Sequence, residues 1–204
     1  MGLLALSLVL AHPGQAHNGV EHKSADEAIR HQAEEPNTPG FPSIKGGDFS
    51  LVDHQGRPRT SKDPDGRHQL VFFGYANCAA ICSVALPRMA QATDLLEKKG
   101  IVVTPVLITV DRARDTVAAL APAVAKIHPR LVGLTGSETA LDGAYKAFQV
   151  DRKHVFDDPE HGPVYAHGSY IFLLAPDGSF RTLLPPILGP DRIAEVVAGY
   201  VSGK

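Results

Sequence analysis

Cysteine is scarce in this chain, which has only two among its 204 residues, Cys78 and Cys82. A single pair cannot make a scaffold of several disulfide bridges, so the two thiols are better explained as chemically active than as structural. A strong charge of one sign is also missing, because 20 basic and 22 acidic residues give a net charge of −2. No polyanion-binding surface is therefore predicted, and nucleic acid is not an expected partner.

The first 16 residues contain no Asp, Glu, Lys or Arg and include a short apolar stretch, GLLALSLVLA. This length suits the apolar part of a signal peptide and is too short to span a bilayer. We expect residues 1–16 to be a signal peptide, cleaved after Ala16, or a short membrane anchor, although the usual positive n-region is missing. A truncated or wrongly assigned start is the alternative. The signal interpretation predicts a periplasmic or other extracytoplasmic location, where a cysteine pair can persist as a disulfide.

Residues 17–47 differ in composition from those that follow. They contain three prolines, paired glycines, several charges and few large apolar side chains. We interpret this segment as a flexible tether. It holds His17, His22 and His31, whose spacing fits no closed ligand set, so at most adventitious metal binding is expected there. Residues 48–204 have the length of one globular domain, and the 44% hydrophobic content of the chain is sufficient for a core.

From residue 48 the apolar pattern alternates between strands and helices. The stretch DFSLVDHQGRPRT predicts a short hairpin around Gln55-Gly56, and HQLVFFGYA predicts a buried strand that ends just before the cysteines. After the cysteines, Pro87 is expected to open a helix that ends at Gly100.

The rest of the chain continues the alternation. In order, the pattern predicts a strand at 101–110, a helix at 115–128 interrupted at Pro122, a short strand at 131–136, a helix with Ser137 as N-cap, two strands around Pro176-Asp177-Gly178, and a final helix at 189–203. This order predicts a mixed α/β protein with a thioredoxin-like three-layer fold and an N-terminal β-hairpin extension.

The cysteines then fall where a buried strand ends and a helix begins, which is where open α/β sheets place their sites. Residues four apart project from one face of a helical turn, so the two sulfurs can meet at one point. A helix N-terminus also lowers thiol pKa by stabilising the thiolate. The pair is therefore suited to redox chemistry, to a soft metal, or to both. A purely structural bridge is less expected, because so short a loop gains little closure entropy from a disulfide.

A third group would decide between these chemistries, and His167 precedes the strand that should lie beside the first central one. In a thioredoxin-like sheet that loop faces the cysteines. Two thiolates and an imidazole make a soft ligand set suited to copper, and zinc could use the same set with an open fourth position. Position alone leaves His167 open, since a single histidine is more often a surface or core residue than a ligand.

Five stretches together resemble the Sco/SenC family in order and spacing over roughly residues 47–203. They are FFGYANCAAIC, TPVLITVDRARDT, HPRLVGLTGS, YKAFQV and YAHGSYIFLLAPDGSFRTLL. The resemblance implies a thioredoxin-fold, membrane-tethered protein that delivers copper to, or reduces the cysteines of, the CuA site during cytochrome c oxidase assembly. It implies Cys78, Cys82 and His167 as the ligands of Cu(I) or Cu(II). The implied partners are the oxidase subunit with the CuA site, an upstream copper donor and a thioredoxin-like reductase.

This chain departs from the family pattern at two places. The family usually has Cys-Pro-Asp-x-Cys-Pro where this chain reads CAAICS, and it usually has Asp where this chain has Ala166. Losing both prolines leaves the φ angles of the loop less restricted, and losing the acid removes a charge beside the histidine. Asp111 and Asp115 also match a family pattern, although a strand-end turn and a helix N-cap are the simpler interpretations.

The alternative function is a thiol:disulfide oxidoreductase of the thioredoxin superfamily, with Cys78 and Cys82 as the redox-active pair. Three residues separate the cysteines rather than the two of the thioredoxin motif, and no proline directly precedes Tyr170. Residues 74–77 contain no Thr of the kind that a peroxiredoxin would have there. Enzymatic turnover is therefore not the expected main function, but a Cys78–Cys82 disulfide would still abolish copper binding and its reduction would restore it.

Overall fold

The computed structural model describes residues 46–76, 82–185 and 187–203. All of them belong to the unit Ile44–Lys204. The expected signal peptide at 1–16 and all but the last two residues of the expected tether lie outside the described residues, as does Cys78.

The described residues form short strands and four helices around one main sheet. The strands are β1 Ser50–Asp53, β2 Pro58–Thr60, β3 His68–Gly74, β4 Val103–Thr109, β5 Val132–Thr135, β6 Lys153–Asp158, β7 Gly162–Ala166, β8 Ile171–Leu174 and β9 Phe180–Leu184. The helices are α1 Cys82–Glu97, α2 Val117–Ile127, α3 Glu138–Ala147 and α4 Pro190–Val201.

The main sheet has seven strands in the order β2-β1-β5-β4-β3-β8-β9, and β6 and β7 form a separate two-stranded sheet. Strand β3 is central: it pairs in parallel with β4 on one side and antiparallel with β8 on the other. The N-terminal hairpin β1–β2 pairs with β5 and so extends the sheet. The mixed α/β fold with an N-terminal hairpin is confirmed.

The core lies where β3, β8 and the end of α3 meet. Phe73, Phe148 and Phe172 are all buried, and each ring packs against the other two at centroid distances of 5.1–5.7 Å. Tilted and edge-on aromatic pairs of this kind add stability beyond the apolar area that they bury. Since β3 is covered on both faces, its sequence is a continuous apolar run rather than an alternating one.

Three expectations about helix ends were wrong. Helix α1 begins at Cys82, so Pro87 lies inside it, and α2 continues through Pro122. Proline fixes φ near the helical value and removes one main-chain donor, so a helix held by buried side chains can continue past it at the cost of one hydrogen bond. The N-cap of α2 is Thr116 rather than Asp115, since the Ala119 N–H donates to Thr116 Oγ1. Ser137 caps α3 as expected.

The hairpin β6–β7 was not predicted. Every residue of β6 is exposed except the last, which is half-buried, so the strand has no alternation of apolar and polar residues by which it could be recognised. Within the described part of the chain, no helix combines the length and the apolar character that crossing a membrane requires.

The described chain begins with two glycines that lie against the domain. Gly46 has a φ of +58°, and a Cβ there would come within 2.6 Å of Phe180 Cβ. A Cβ on Gly47 would come within 2.2 Å of Ala147 Cβ and 2.9 Å of its Cα. The approach of the chain to β9 and α3 therefore depends on residues without side chains.

Candidate metal-binding site

The segment that leads to the cysteines leaves the sheet at the end of β3. The Val110 N–H donates to the Gly74 carbonyl at 2.7 Å, and Tyr75 and Ala76 follow before the described chain stops. It resumes at Cys82, the first residue of α1, whose side chain is not among those described. Convergence of the two sulfurs therefore stays a prediction, and the residues around this segment are what the structure adds.

A buried carboxylate holds the start of the segment. Asp115 is 1% exposed, and its Oδ2 accepts hydrogen bonds from Thr109 Oγ1 at 2.7 Å and from the Ala76 N–H at 3.0 Å. Burial raises the pKa of Asp115, against the effect of these two hydrogen bonds, which favour the charged form. Asp115 thereby ties the chain two residues before Cys78 to the end of β4.

His167 follows directly after β7, so the hairpin β6–β7 determines where its imidazole lies. Two arginines hold this hairpin against the loop after β4. Arg114 donates to the carbonyl oxygens of His161 and Pro163, the latter at 2.8 Å. Arg152 donates to the Val110 carbonyl, and its guanidinium carbon lies 4.2 Å from the centroid of the Tyr165 ring.

The imidazole of His167 is half-buried and packs edge-on against two aromatic rings. Its centroid is 6.0 Å from that of Phe72 and 6.0 Å from that of Tyr75. Tyr75 is three residues before Cys78, so the ring lies beside the segment that leads to the thiols. His167 Nδ1 is 3.0 Å from the Gly168 carbonyl oxygen. A proton on Nδ1 satisfies that oxygen and leaves the lone pair on Nε2, which is the tautomer that a metal ligand needs.

The donor chemistry therefore fits copper as far as the described residues reach. Imidazole is a ligand that suits copper, and the thiolates that this segment could supply are soft ligands that select Cu(I). Among the described side chains there is no group of three or more His, Cys, Asp or Glu that could hold a metal ion. His17, His22 and His31 of the expected tether lie outside the described residues.

Asp111 does not complete such a set. It is 1% exposed, and its Oδ2 pairs with Arg114 Nε. The other carboxylate oxygen, Oδ1, is buried and has no hydrogen-bond partner within the described structure. The Asp111 N–H also bonds to Thr109 Oγ1 at 2.9 Å, so Asp111 lies in the turn after β4 that the sequence predicted for it.

The sequence pattern indicated Asp115 only as a family match and a helix N-cap, and it predicted no role for Arg114 or Arg152. The roles of Arg114, Arg152 and Asp115 depend on bonds to main-chain atoms between 39 and 49 residues away. No spacing of residues within a local segment predicts such bonds. The only available signal was the concentration of charge in VDRARDT, directly after a buried strand.

Comparison with known proteins places this arrangement in one family. The family model SCO1/SenC matches residues 37–202. The mitochondrial protein SCO2 homolog of Mus musculus is 37% identical over 158 residues, which cover 76% of this chain and 62% of the mouse protein. The chain spans about three fifths of the length of this protein and of the SCO2 homologs of Bos taurus and Danio rerio.

Two solved structures extend the comparison. ScoI of Arabidopsis thaliana, solved with copper bound, is 29% identical with a TM-score of 0.74, and the match covers 79% of this chain and 100% of the plant one. ScoI of Bradyrhizobium japonicum, also solved with copper bound, is 28% identical with a TM-score of 0.68, and the match covers 76% and 99% of the two chains.

Proposed function

Because the chain belongs to the SCO1/SenC family, we propose that it is a copper-binding protein that takes part in cytochrome c oxidase assembly. The observation that carries this proposal is the placement of His167. Its imidazole lies against Tyr75, beside the segment that leads to Cys78, with Nδ1 3.0 Å from the Gly168 carbonyl oxygen. Relatives of the chain have been solved with copper bound, which supports the choice of metal.

The proposed ligands are the thiolates of Cys78 and Cys82 and the imidazole of His167. Cys82 is the first residue of α1, so the positive end of the helix dipole favours its thiolate. The contact between Nδ1 and the Gly168 carbonyl oxygen, at 3.0 Å, helps to orient the ring. The aromatic rings of Phe72 and Tyr75 shield one side of the imidazole from water.

We propose further that copper is cargo, delivered to the CuA site of the oxidase. A set of three ligands leaves room for a ligand of the recipient to enter before those of the donor leave. The exposed side chains of Val84 and Tyr170, 40% and 39% accessible, are close in sequence to Cys82 and His167, respectively, so a recipient can approach. Oxidation of the cysteine pair to a disulfide would remove two ligands and couple delivery to the redox state of the compartment.

We propose that residues 1–16 direct the protein out of the cytoplasm or anchor it to a membrane, and that residues 17–47 tether the domain. The apolar, uncharged stretch within residues 1–16 and the proline- and glycine-containing composition of residues 17–47 support this proposal.

The second candidate function is reduction of a partner's cysteines by the same thiol pair. It is favoured by the position of Cys82 at a helix N-terminus, where a thiolate is stabilised. Both functions need Cys78 and Cys82, but only copper delivery needs His167 as a ligand. Substitution of His167 therefore separates them.

The test pairs two assays on one preparation of the full chain. Stopped-flow mixing of the copper-loaded protein with an apo CuA-type domain should show transfer faster than free copper exchange, with little dithiol turnover against insulin. His167→Ala should slow or abolish transfer and leave thiol reactivity largely intact. Strong dithiol turnover without transfer would move the assignment to the oxidoreductase class.

A further inference from the structure

One guanidinium group touches both arms of the candidate site. Arg114 Nε bonds to the Asp111 carboxylate, and its Nη1 and Nη2 bond to the carbonyl oxygens of His161 and Pro163. Its Cζ also lies 5.6 Å from the centroid of the Tyr75 ring. The hairpin that leads to His167 and the segment that leads to Cys78 therefore meet at the same side chain.

The geometry suits arginine and no other cation. A planar guanidinium presents several N–H donors in a fixed arrangement, so it can hold a carboxylate on one side and two carbonyls on the other at the same time. A lysine ammonium is a single point with rotating donors and cannot occupy these positions together. The buried Asp111 carboxylate keeps the guanidinium in place, because its Oδ2 has Arg114 as its partner.

A glycine in the β6–β7 hairpin leaves space for the Arg114 guanidinium. Gly162 lies between the two accepting carbonyls and has a φ of +76°, and a Cβ on it would come within 2.6 Å of Arg114 Nη1. A side chain at this position would therefore push the guanidinium away. Absence of a side chain and a left-handed backbone are both needed here, and glycine provides both.

The local chain does little to fix the cysteine segment by itself. No proline occurs between Tyr75 and Leu86, so no φ angle there is restricted by a ring. Its described start is held from outside, by the Asp115 carboxylate at Ala76 and by the Arg114 guanidinium at Tyr75. The imidazole of His167 then packs on the same Tyr75 ring.

We propose that Arg114 is a positioning residue that fixes the imidazole of His167 relative to Tyr75, at the start of the cysteine segment, by holding the β6–β7 hairpin beside the Tyr75 ring. This inference rests on the proposed function, since it concerns the ligand set named there. Arg114 itself does not touch the metal. Its loss should loosen the hairpin and weaken copper binding without removing any ligand.

The experiment uses the full chain and compares Arg114→Met, Arg114→Lys and Arg67→Met. Arg114→Met should lower the copper affinity about tenfold or more in a competition assay, as loss of a supporting contact around a metal site typically does. Arg114→Lys should recover only a part of the copper affinity, because the positive charge near Tyr75 returns without the planar set of N–H donors. Arg67→Met removes a partly exposed cation at the opposite end of β3 and should bind copper as the wild type does.

A metal-free measurement separates positioning from a general loss of stability. Hydrogen exchange of the hairpin amides at 153–166 in the copper-free protein should accelerate in Arg114→Met, while amides of β3 keep their protection. Gly162→Ala attacks the same contact from the hairpin side. It also places a side chain at a φ of +76°, which strains the backbone whether or not Arg114 is present. In the double variant the loss should be smaller than the sum of the two single losses, because both changes break the same interaction.

Each outcome decides something. Wild-type copper affinity in a folded Arg114→Met protein, or an equal loss in Arg67→Met, would overturn the proposal. Should Arg114→Met fail to fold, Arg114→Lys and Gly162→Ala give the same comparison. Failure of the wild type to bind copper would instead refute the proposed function. The hydrogen-exchange rates of the hairpin amides would still show whether Arg114 holds the β6–β7 hairpin in place.

Discussion

Asp115 offers the sharpest test of how the cysteine segment is held. Asp115→Ala removes the acceptor of two hydrogen bonds, from the buried Thr109 hydroxyl and from the partly buried Ala76 N–H. A buried donor left without a partner costs about 1–3 kcal/mol. Relief of the burial penalty on the carboxylate acts in the opposite direction. We therefore expect a net loss of about 2 kcal/mol in the free energy of unfolding near neutral pH.

Asp115→Asn is the matched control. Its side-chain oxygen can still accept from Thr109 and Ala76, so the loss should be clearly smaller than for alanine. Comparison of Asp115→Asn with the wild type also separates the effect of the carboxylate charge from that of the hydrogen bonds. Since burial raises the pKa of Asp115, the native state binds its proton more tightly than the unfolded chain does. The contribution of Asp115 to stability is therefore greatest at low pH and falls as pH rises from the ordinary aspartate pKa of 3.8 through the raised pKa.

Urea unfolding of wild type, Asp115→Ala and Asp115→Asn across this acidic range and at neutral pH measures both effects, provided that the m-value is unchanged. The stability of Asp115→Asn relative to the wild type should improve as pH rises, since asparagine does not ionise. Two results would refute the reasoning. One is an alanine variant within about 0.5 kcal/mol of the wild type, which is the range of an unimportant surface change. The other is an asparagine variant whose pH dependence matches that of the wild type.

Two further predictions concern the start of the domain. Deleting residues 1–40 should leave the melting temperature and copper binding largely unchanged. Residues 17–40 have few large apolar side chains with which to join a core, and residues 1–16 are expected to serve as a signal peptide or anchor rather than as part of the domain. A large drop in melting temperature would contradict this. Gly47→Ala should lower the melting temperature, because its Cβ would come within 2.2 Å of Ala147 Cβ. The control is Gly143→Ala, in α3, where a Cβ would have nothing within 4 Å and alanine should raise the melting temperature. Equal effects of the two changes would show that the contact at Gly47 relaxes without cost.

The sequence predicted the parts of the fold whose signals are local. Strand β3 is recognisable because burial on both faces leaves a continuous apolar run, and α3 because Ser137 caps it and Leu141 and Tyr145 are buried on one face. These signals come from residues a few positions apart, and the same holds for the hairpin β1–β2.

The supporting structure of the site could not be predicted in this way. Strand β6 is exposed almost throughout. The hairpin that it forms with β7 is held by Arg114, which donates to main-chain carbonyls of the turn and of β7, and such bonds leave no periodic pattern. Asp115 and Thr116 are both good N-cap residues, and only the buried Thr109 hydroxyl, brought there by the sheet, determines that Asp115 turns inward. Likewise, His167 could be singled out as a ligand only through the family resemblance, since position left it open.

Copper stoichiometry and affinity of the reduced protein test the central claim most directly, measured for the wild type, Cys78→Ser, Cys82→Ser and His167→Ala. The wild type should bind a single copper ion, either serine variant should lose tight binding, and His167→Ala should bind more weakly with a changed spectrum. A His167→Ala protein that keeps the wild-type affinity and the same spectrum for both Cu(I) and Cu(II) would contradict the three-ligand site.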